Sequence, residues 1–194
     1  MSTTQPIRNK ENLCSFKEYY LTQKPNGRNY ALCVFGLNTA LRISDILRLK
    51  WKDVYDFSQK AYLPHLTVTE HKTGKENKIA INNTLANVLD SQLFRKGTGC
   101  LPENYLFQSR KGKNQPLSRS QAFRVVKEAA CWAGMEQHIS CHSLRKTFGY
   151  HAWQQGVQPA LLMDIYNHSS YRITKHYLGI DQDDRDNVFL NISL

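Results

Sequence analysis

The sequence lacks several features that would assign it to a common class of protein. No stretch approaches the run of about eighteen apolar residues that spans a bilayer, and the first ten residues contain no apolar core of a secretory signal. The five cysteines are an odd number without a Cys-x-x-Cys pair, which argues against a disulfide framework and against a zinc site. We therefore expect a cytoplasmic globular protein with free thiols and no membrane partner.

The chain also has no internal repeat, no low-complexity stretch, no cluster of metal ligands and no glycine-rich loop that would cradle a phosphate. What it does have is positive charge, with 26 Lys and Arg against 16 Asp and Glu and a net charge of +10. Such a balance concentrates polyanions and favours contacts with phosphates, so nucleic acid is the leading class of partner. A basic helical protein that binds nothing in particular remains the alternative at this point.

The spacing of apolar residues predicts a chain that is mostly helical. Helical periodicity extends over residues 11–21, 28–37, 43–49, 84–94, 118–133, 143–155, 159–166 and 170–178. Alternation at 65–69 and 78–81, on either side of the turn Lys72-Thr73-Gly74-Lys75, predicts a small antiparallel sheet. With 41% apolar residues the chain can bury a core, and the element order predicts an α+β fold, mainly helical, with the sheet inserted near its N-terminal side.

Three segments carry residues suited to chemistry. His142 and Arg145 lie three apart at the start of a predicted helix, where they share a face and where backbone N–H groups favour anions. Arg42 lies among residues typical of a core, and its simplest structural role is a pair with Asp45 one turn away. Tyr177 follows His168 by nine residues, and a single helical tyrosine is most often a packing residue. None of the three segments is specific alone.

Together the segments resemble the tyrosine recombinase (phage integrase) family. The family has Arg, Lys, His-x-x-Arg, His or Trp, and Tyr in that chain order, and the matching residues here are Arg42, Lys72, His142, Arg145, His168 and Tyr177. The segment Ala-Leu-Arg-Ile-Ser-Asp resembles the family's first arginine box, and the steps from Arg145 to His168 and on to Tyr177 resemble its usual spacings. The resemblance covers about residues 28–180 and implies the catalytic-domain fold of a tyrosine recombinase.

The resemblance also implies how each residue acts on DNA. Arg42 and Arg145 would grip the non-bridging oxygens of the phosphodiester with planar guanidinium groups, and His168 would add a hydrogen bond. Tyr177 would attack the phosphorus as His142 accepts its proton, which gives a 3′-phosphotyrosine intermediate. The phosphotyrosine conserves the energy of the broken bond, so neither ATP, a metal nor another cofactor is required.

The family's active lysine protonates the departing 5′ oxygen, and its position at the strand-to-turn step favours Lys72. Lys75 and Lys78 are close enough in sequence to remain candidates. Three other positions depart from the family's pattern. Asp45 replaces the usual Glu, Lys146 replaces the common His after the second arginine, and Asn167 replaces the usual Gly before the last histidine.

The resemblance implies double-stranded DNA as the partner, in the cytoplasm at the nucleoid, with a homotetramer on DNA and a monomer when free. Accessory DNA-bending or directionality proteins are further candidate partners. Residues 1–27 are too few for the helical arm of most members, so we expect a catalytic domain over residues 28–194, either as a short recombinase or as a domain of a longer protein. The apolar residues after Tyr177 predict a docking element, with folding back on the same domain as the alternative: Val188, Phe189, Leu190, Ile192 and Leu194.

Two other functions compete with recombination. A type IB topoisomerase uses a related catalytic set, although this chain is short for one. A non-catalytic DNA-binding regulator with the recombinase fold is the second, and it should have lost at least one of six polar residues, none of which is missing here.

Overall fold

The computed structural model describes residues 4–93, 100–180 and 182–192, with side chains left out at 91–93, 182, 183 and 187. The helices of this part of the chain are α1 (Lys10–Thr22), α2 (Gly27–Thr39), α3 (Ile43–Ile46), α4 (Asn83–Leu93), α5 (Arg119–Trp132), α6 (Cys141–Gln154), α7 (Pro159–Tyr166), α8 (Tyr171–Leu178) and α9 (Gln182–Asn191). The strands are β1 (Tyr55–Asp56), β2 (Ala61–Tyr62), β3 (His65–Thr69) and β4 (Glu76–Ala80). The predicted α+β, mainly helical fold is confirmed.

Polar side chains begin the helices that carry the core. Asn9 and Asn26 accept hydrogen bonds from backbone N–H groups in the first turns of α1 and α2. Ser118 does the same for α5 and Ser170 for α8. Each cap satisfies a donor that has no partner within the helix, and this fixes where the helix starts.

Helix α2 is the centre of the main core, because it packs against α1, α4 and α6. Leu32 and Phe35 of α2 are fully buried, as are Phe16 and Tyr20 of α1. Helix α1 is therefore part of the same core as the segment after it, and the division of the chain at residue 27 stays a prediction.

A second, smaller core lies between α6, α7 and α8. Leu162 and Tyr166 of α7 and Leu178 of α8 are fully buried there, and Tyr177 packs against them. Gly149 of α6 allows this close approach, because a Cβ at that position would lie 2.5 Å from Cδ2 of Leu178. This core fixes the helix of Tyr177 beside the helix of His142 and Arg145.

The sheet region differs from the prediction in its details. Strands β3 and β4 pair antiparallel as expected, from His65 opposite Ala80 to Thr69 opposite Glu76. Strands β1 and β2 form a second hairpin that the sequence did not predict, since each strand has only two residues. No helix in the described ranges is long and apolar enough to cross a membrane.

The helix predicted over 43–49 is wrong in its length, because α3 ends at Ile46. The chain then turns so that the carbonyl of Leu49 accepts a hydrogen bond from the amide of Leu106 at 2.8 Å and Lys50 bridges to Tyr105. This long-range pairing overrides the local helical preference. The end predicted for α4, at Phe94, lies outside the described residues.

Candidate active site

The two arginines of the pattern meet on one buried carboxylate. Arg42, the N-cap residue of α3, donates from Nη1 to Oε2 of Glu70 at 2.5 Å. Arg145, on α6, brings its own Nη1 to 3.6 Å from Oε1 of the same residue. The pair of Arg42 with Asp45, the alternative to a catalytic role, is not among the ion pairs of the described residues, and Asp45 instead accepts from the amide of His71 at 3.1 Å. Glu70 thus links the two arginines.

The charge of Glu70 is stabilised despite complete burial. Burial alone raises the pKa of the Glu70 carboxyl, but the hydroxyl of Thr73, at 2.8 Å, and the guanidinium groups of Arg42 and Arg145 outweigh it and lower the pKa below its usual range. Two cations and one anion share the cluster, so a net positive charge remains available for a phosphate.

The guanidinium of Arg145 is almost fully enclosed, with 2% of the residue exposed. It donates to the carbonyl of Ala40 and, at 3.2 Å, to the carbonyl of Tyr166, and it lies 4.6 Å from the centre of the Tyr166 ring. Ala40 ends α2 in the left-handed region at φ 54°, which turns its carbonyl toward Arg145. These contacts fix the orientation of the planar group.

A cavity of about 380 Å³ opens beside the arginines. Its walls include four of the six residues of the pattern: Arg42, Lys72, His142 and Arg145. Lys72 is exposed in the turn between β3 and β4 and reaches this cavity, whereas Lys75 and Lys78 are not among its lining residues. Arg119 and Phe123 of α5 also line this cavity. The cavity is therefore cationic and large enough for a phosphate group.

His142, at the start of α6, separates this cavity from a second one of about 860 Å³ that Tyr177 lines. Burial, followed by the positive charges of Lys146 and Arg145, lowers the pKa of His142 to about 4. Its imidazole is therefore neutral near pH 7 and has a lone pair that can accept a proton. The centre of the ring lies 5.0 Å from that of Tyr177, edge to face.

His168 follows α7 and is oriented by a buried hydroxyl. Its Nδ1 lies 3.0 Å from Oγ1 of Thr174, and its ring stacks on Tyr166 with centres 5.4 Å apart. Burial and the positive charge of Arg145 lower the pKa of His168 to about 4. The ring also lies edge to face with Tyr177, with ring centres 5.1 Å apart. His168 therefore contacts both Tyr177 and Tyr166, the tyrosine that packs against Arg145.

The hydroxyl of Tyr177 is buried and makes no hydrogen bond of normal geometry to the described residues, although Arg145 is near enough to favour its ionised form. Rings surround it, because Tyr166, His142 and His168 all lie with their centres within 5.3 Å of the Tyr177 ring centre. Burial raises the pKa of Tyr177 to about 12, although the charges of Arg145 and Arg42 act in the opposite direction. The resting phenol is therefore held protonated.

Two departures from the family's pattern have a structural role. Asn167 ends α7 in the left-handed region at φ 54°, a conformation that glycine adopts freely and that asparagine tolerates better than most residues. Lys146 is buried, donates from Nζ to the carbonyl of Thr4 at 2.6 Å, and lies 5.4 Å from the centre of the Tyr177 ring. Its charge adds to the cationic surroundings of His142.

The sequence did not indicate three residues that hold the site together: Glu70, Tyr166 and Thr174. Glu70 is one acidic residue at a strand end, and Thr174 is one hydroxyl within a helix, so neither belongs to a recognisable motif. The hydroxyl of Tyr166 donates to the carbonyl of Arg145 at 2.7 Å. Tyr166 ends a mostly apolar helical segment, and such spacing does not indicate this bond.

Comparison with known proteins identifies the family. Residues 9–183 match the model of the Phage integrase family. The chain is 45% identical over 184 residues to the probable integrase/recombinase YoeC of Bacillus subtilis (strain 168), which covers 94% of this chain and 93% of that protein. The chain therefore belongs to the phage integrase family, the tyrosine recombinases, and the resemblance drawn from its six polar residues is confirmed.

Solved structures agree on the fold. The crystal structure of XerA recombinase matches with a TM-score of 0.77 and 18% identity, over 100% of this chain and 66% of that one. The XerH site-specific recombinase bound to its difH substrate matches with a TM-score of 0.74 and 19% identity, over 96% and 52% of the two chains. The chain thus spans nearly the whole of YoeC but about half of XerH. These neighbours have the fold of tyrosine recombinases.

Proposed function

We propose that this protein cleaves and rejoins DNA strands at specific sites through a 3′-phosphotyrosine intermediate on Tyr177. One observation carries the proposal. Arg42 and Arg145 come from distant parts of the chain and converge on Glu70, beside a cationic cavity. Next to them lies Tyr177, whose hydroxyl is buried and whose ring contacts two neutral imidazoles. This is the set of groups that a phosphodiester needs for transesterification without a metal.

The arginines would bind the scissile phosphate from the cavity. Guanidinium groups match the two non-bridging oxygens of a phosphodiester, and both are already oriented by Glu70 and by backbone carbonyls. Little reorganisation is then required when charge develops on those oxygens in the transition state. His168, held by Thr174, would donate to the same phosphate from Nε2.

Proton transfer from Tyr177 would depend on bound DNA. With pKa values of about 12 for Tyr177 and about 4 for His142, the phenol keeps its proton in the free protein. A phosphate anion near Arg42 and Arg145 offsets the positive charges that lower the pKa of His142, so the imidazole becomes a better base when substrate is present. Lys72 would protonate the 5′ oxygen as it leaves, because it reaches the same cavity.

A suicide substrate nicked beside the cleavage point tests the nucleophile. The wild-type protein should form a denaturant-resistant adduct with this DNA, and Tyr177→Phe should form none. Tyr171→Phe is the matched control, since Tyr171 lies on the same helix and is 38% exposed. The proposal would be contradicted if Tyr177→Phe still formed the adduct and Tyr171→Phe did not.

Double-stranded DNA is the proposed partner, bound mainly through phosphate contacts. The named neighbours bound to DNA support this, as does the net charge of +10. The affinity should fall steeply with salt, because each neutralised phosphate releases counterions. An affinity independent of salt would argue against a phosphate-dominated interface.

We further propose that the protein is a monomer when free and a homotetramer on DNA, with accessory DNA-bending or directionality proteins as candidate partners at the nucleoid. The C-terminal helix α9 supports a docking role, because its apolar residues stand in solvent: Val188, Phe189, Leu190 and, just beyond the helix, Ile192. Leu194 lies outside the described residues. Deleting residues 187–194 should abolish synapsis and leave DNA binding by the monomer intact, whereas a lower melting temperature would favour packing on the same domain.

A further inference from the structure

An extended segment before α1 contacts the two helices that carry His142, Arg145 and Tyr177, although none of its own residues belongs to the six-residue pattern. This segment, residues 4–8, is called the strap below. It runs along α6, where the amide of Ile7 donates to Oγ1 of Thr147 at 2.8 Å and the carbonyl of Ile7 lies 2.9 Å from Nε2 of His151. Ile7 itself is buried, with 2% of the residue exposed. The strap is therefore fixed on the helix that carries His142 and Arg145.

The end of the strap binds the helix that carries Tyr177. The guanidinium of Arg8 donates from Nη2 to the carbonyl of Gly179, two residues after Tyr177. Gly179 closes α8 at φ 73°, and a Cβ there would meet Arg8 at 3.3 Å and Gln5 at 3.4 Å. Glycine at this position thus gives both the left-handed turn and room for the strap.

Arg8 is in turn held from two other sides. Its Nη1 lies 4.0 Å from Oδ2 of Asp184 in α9, and its guanidinium lies 5.1 Å from the centre of the Tyr150 ring on α6. One side chain therefore connects α6, α8 and α9. The carbonyls at a helix C-terminus favour a cation, so the contact with Gly179 stabilises the last turn of α8.

Helix α8 needs such support because it is short. It has eight residues, fewer than an isolated helix needs to be stable in water, so its position depends on tertiary contacts. Thr174 and Leu178 anchor one face of α8 in the small core, and Ile180 is buried just beyond it. Gly179, between them, is half-buried and lies beside the strap. A helix that pivots at this end would move the Tyr177 hydroxyl relative to His142.

We infer that Arg8 is a positioning residue for the cleavage reaction, which holds the carboxyl end of α8 through Gly179 and so sets where Tyr177 stands relative to α6. The inference rests on the proposed function of Tyr177. Arg8 acts through the backbone of α8 and does not touch the reacting atoms.

Two measurements on the full chain test this role. The first is the single-turnover rate of adduct formation with the suicide substrate, at DNA concentrations that saturate binding. The second is hydrogen exchange of the free protein over 175–180, whose amides at Gly179 and Ile180 bond to His176 and Lys175. Exchange over 32–37 in α2 reports on the main core. The test variants are Arg8→Ala and Arg8→Lys. The control is Arg48→Ala, which also removes one arginine, at an exposed position.

For Arg8→Ala we expect adduct formation slower by about tenfold or more, since small misplacements of a reacting group have effects of this size. DNA affinity should stay within about twofold of that of Arg48→Ala, because each variant loses one charge. Exchange over 175–180 should be faster and exchange over 32–37 unchanged. Arg8→Lys, which keeps a cation and a donor, should recover part of the rate.

The remaining outcomes overturn the inference. A rate and an exchange pattern equal to those of Arg48→Ala would mean that Arg8 does not position α8. A slower rate without faster exchange over 175–180 would mean that it acts by another route, and faster exchange in α2 as well would indicate general destabilisation. If the wild-type protein forms no adduct, the proposed function fails, and exchange alone decides whether the strap holds α8.

Discussion

The two halves of the candidate site are held by different forces. Arg42 and Arg145 are held by ion pairs with Glu70, and Arg145 also donates hydrogen bonds to the carbonyls of Ala40 and Tyr166. Tyr177 is held by packing, against neighbouring rings and the small apolar core with Lys146 over its ring, and its buried hydroxyl has no hydrogen bond of normal geometry among the described residues. Directional bonds fix the arginines in one arrangement, whereas ring packing leaves the phenol fewer constraints. The arginine half is thus held in one arrangement, and the tyrosine half has fewer directional constraints.

The largest expected effect comes from removing the carboxylate between the arginines. Glu70→Ala leaves Arg145 buried without its counter-charge, and breaking a buried ion pair in this way costs about 3–5 kcal/mol of unfolding free energy. The measurement is urea unfolding at pH 7. Glu103→Ala is the control, since Glu103 pairs with Lys50 and Lys52 at the surface and its loss should lower the free energy of unfolding far less. Equal losses of unfolding free energy in Glu70→Ala and Glu103→Ala would mean that Glu70 stabilises the arginine half no more than a surface ion pair would.

A smaller effect is expected where α8 packs on α6. In Gly149→Ala the new methyl group would collide with the hydroxyl of Tyr166 and lie 2.5 Å from Cδ2 of Leu178, and such overpacking costs about 1–3 kcal/mol. Adduct formation should also slow, because α8 carries Tyr177. Gly36→Ala is the control, as its methyl group would meet only the side chain of Leu144, at 2.7 Å. If Gly36→Ala slows adduct formation as much as Gly149→Ala does, the position of Tyr177 does not depend specifically on the packing of α8 against α6.

The two histidines predict how stability depends on pH. Both have a pKa of about 4 in the folded protein, mainly because of burial, against an ordinary value near 6.5 in the unfolded chain. Between these values the unfolded chain binds more protons, so the free energy of unfolding is highest above about pH 6.5 and falls as the pH drops toward 4. The urea midpoint at pH 7 and pH 5 measures this change.

The matched variants His142→Asn and His168→Asn should each flatten the fall in the urea midpoint. Each removes one group whose protonation in the unfolded chain opposes folding at low pH. A pH dependence that is the same in both variants and in the wild-type protein would show that neither imidazole is buried in its neutral form.

The sequence predicts the part of this molecule that depends on residue type and spacing. The helices α5 and α8 follow from Ser118 and Ser170 as caps and from regular apolar spacing. The six polar residues stand out because they match the ordered pattern of the family, and their roles on DNA stay predictions. The sequence predicts that Arg42 and Arg145 meet at one site, but it contains no information on the distance between them.

What the sequence left out depends on contacts between distant segments. Glu70 is buried only because α3 and α6 bring two arginines to the end of β3. The helix α3 stops early because Leu49 pairs with Leu106, 57 positions further along the chain. Helix α9 combines acidic residues with an apolar end and lacks clear amphipathic spacing, so its helical structure could not be distinguished from an extended tail.

The smallest expected effect concerns one hydroxyl that joins the two halves. Oγ1 of Thr174 is buried, 3.0 Å from Nδ1 of His168 and 3.4 Å from the carbonyl of Ser170. That hydroxyl has one proton, which it donates to the carbonyl of Ser170. For His168 to donate to a phosphate from Nε2, its Nδ1 must accept, so the hydroxyl of Thr174 must turn to donate to Nδ1 instead. Thr174→Val keeps the shape and removes the donor, which should cost about 1–2 kcal/mol and shift the neutral imidazole toward the other tautomer. Urea unfolding and ¹⁵N chemical shifts of His168 measure the two effects, with Thr174→Ser as the control that restores the hydroxyl. An unchanged tautomer in Thr174→Val would mean that the arginine half, and not Thr174, orients the ring.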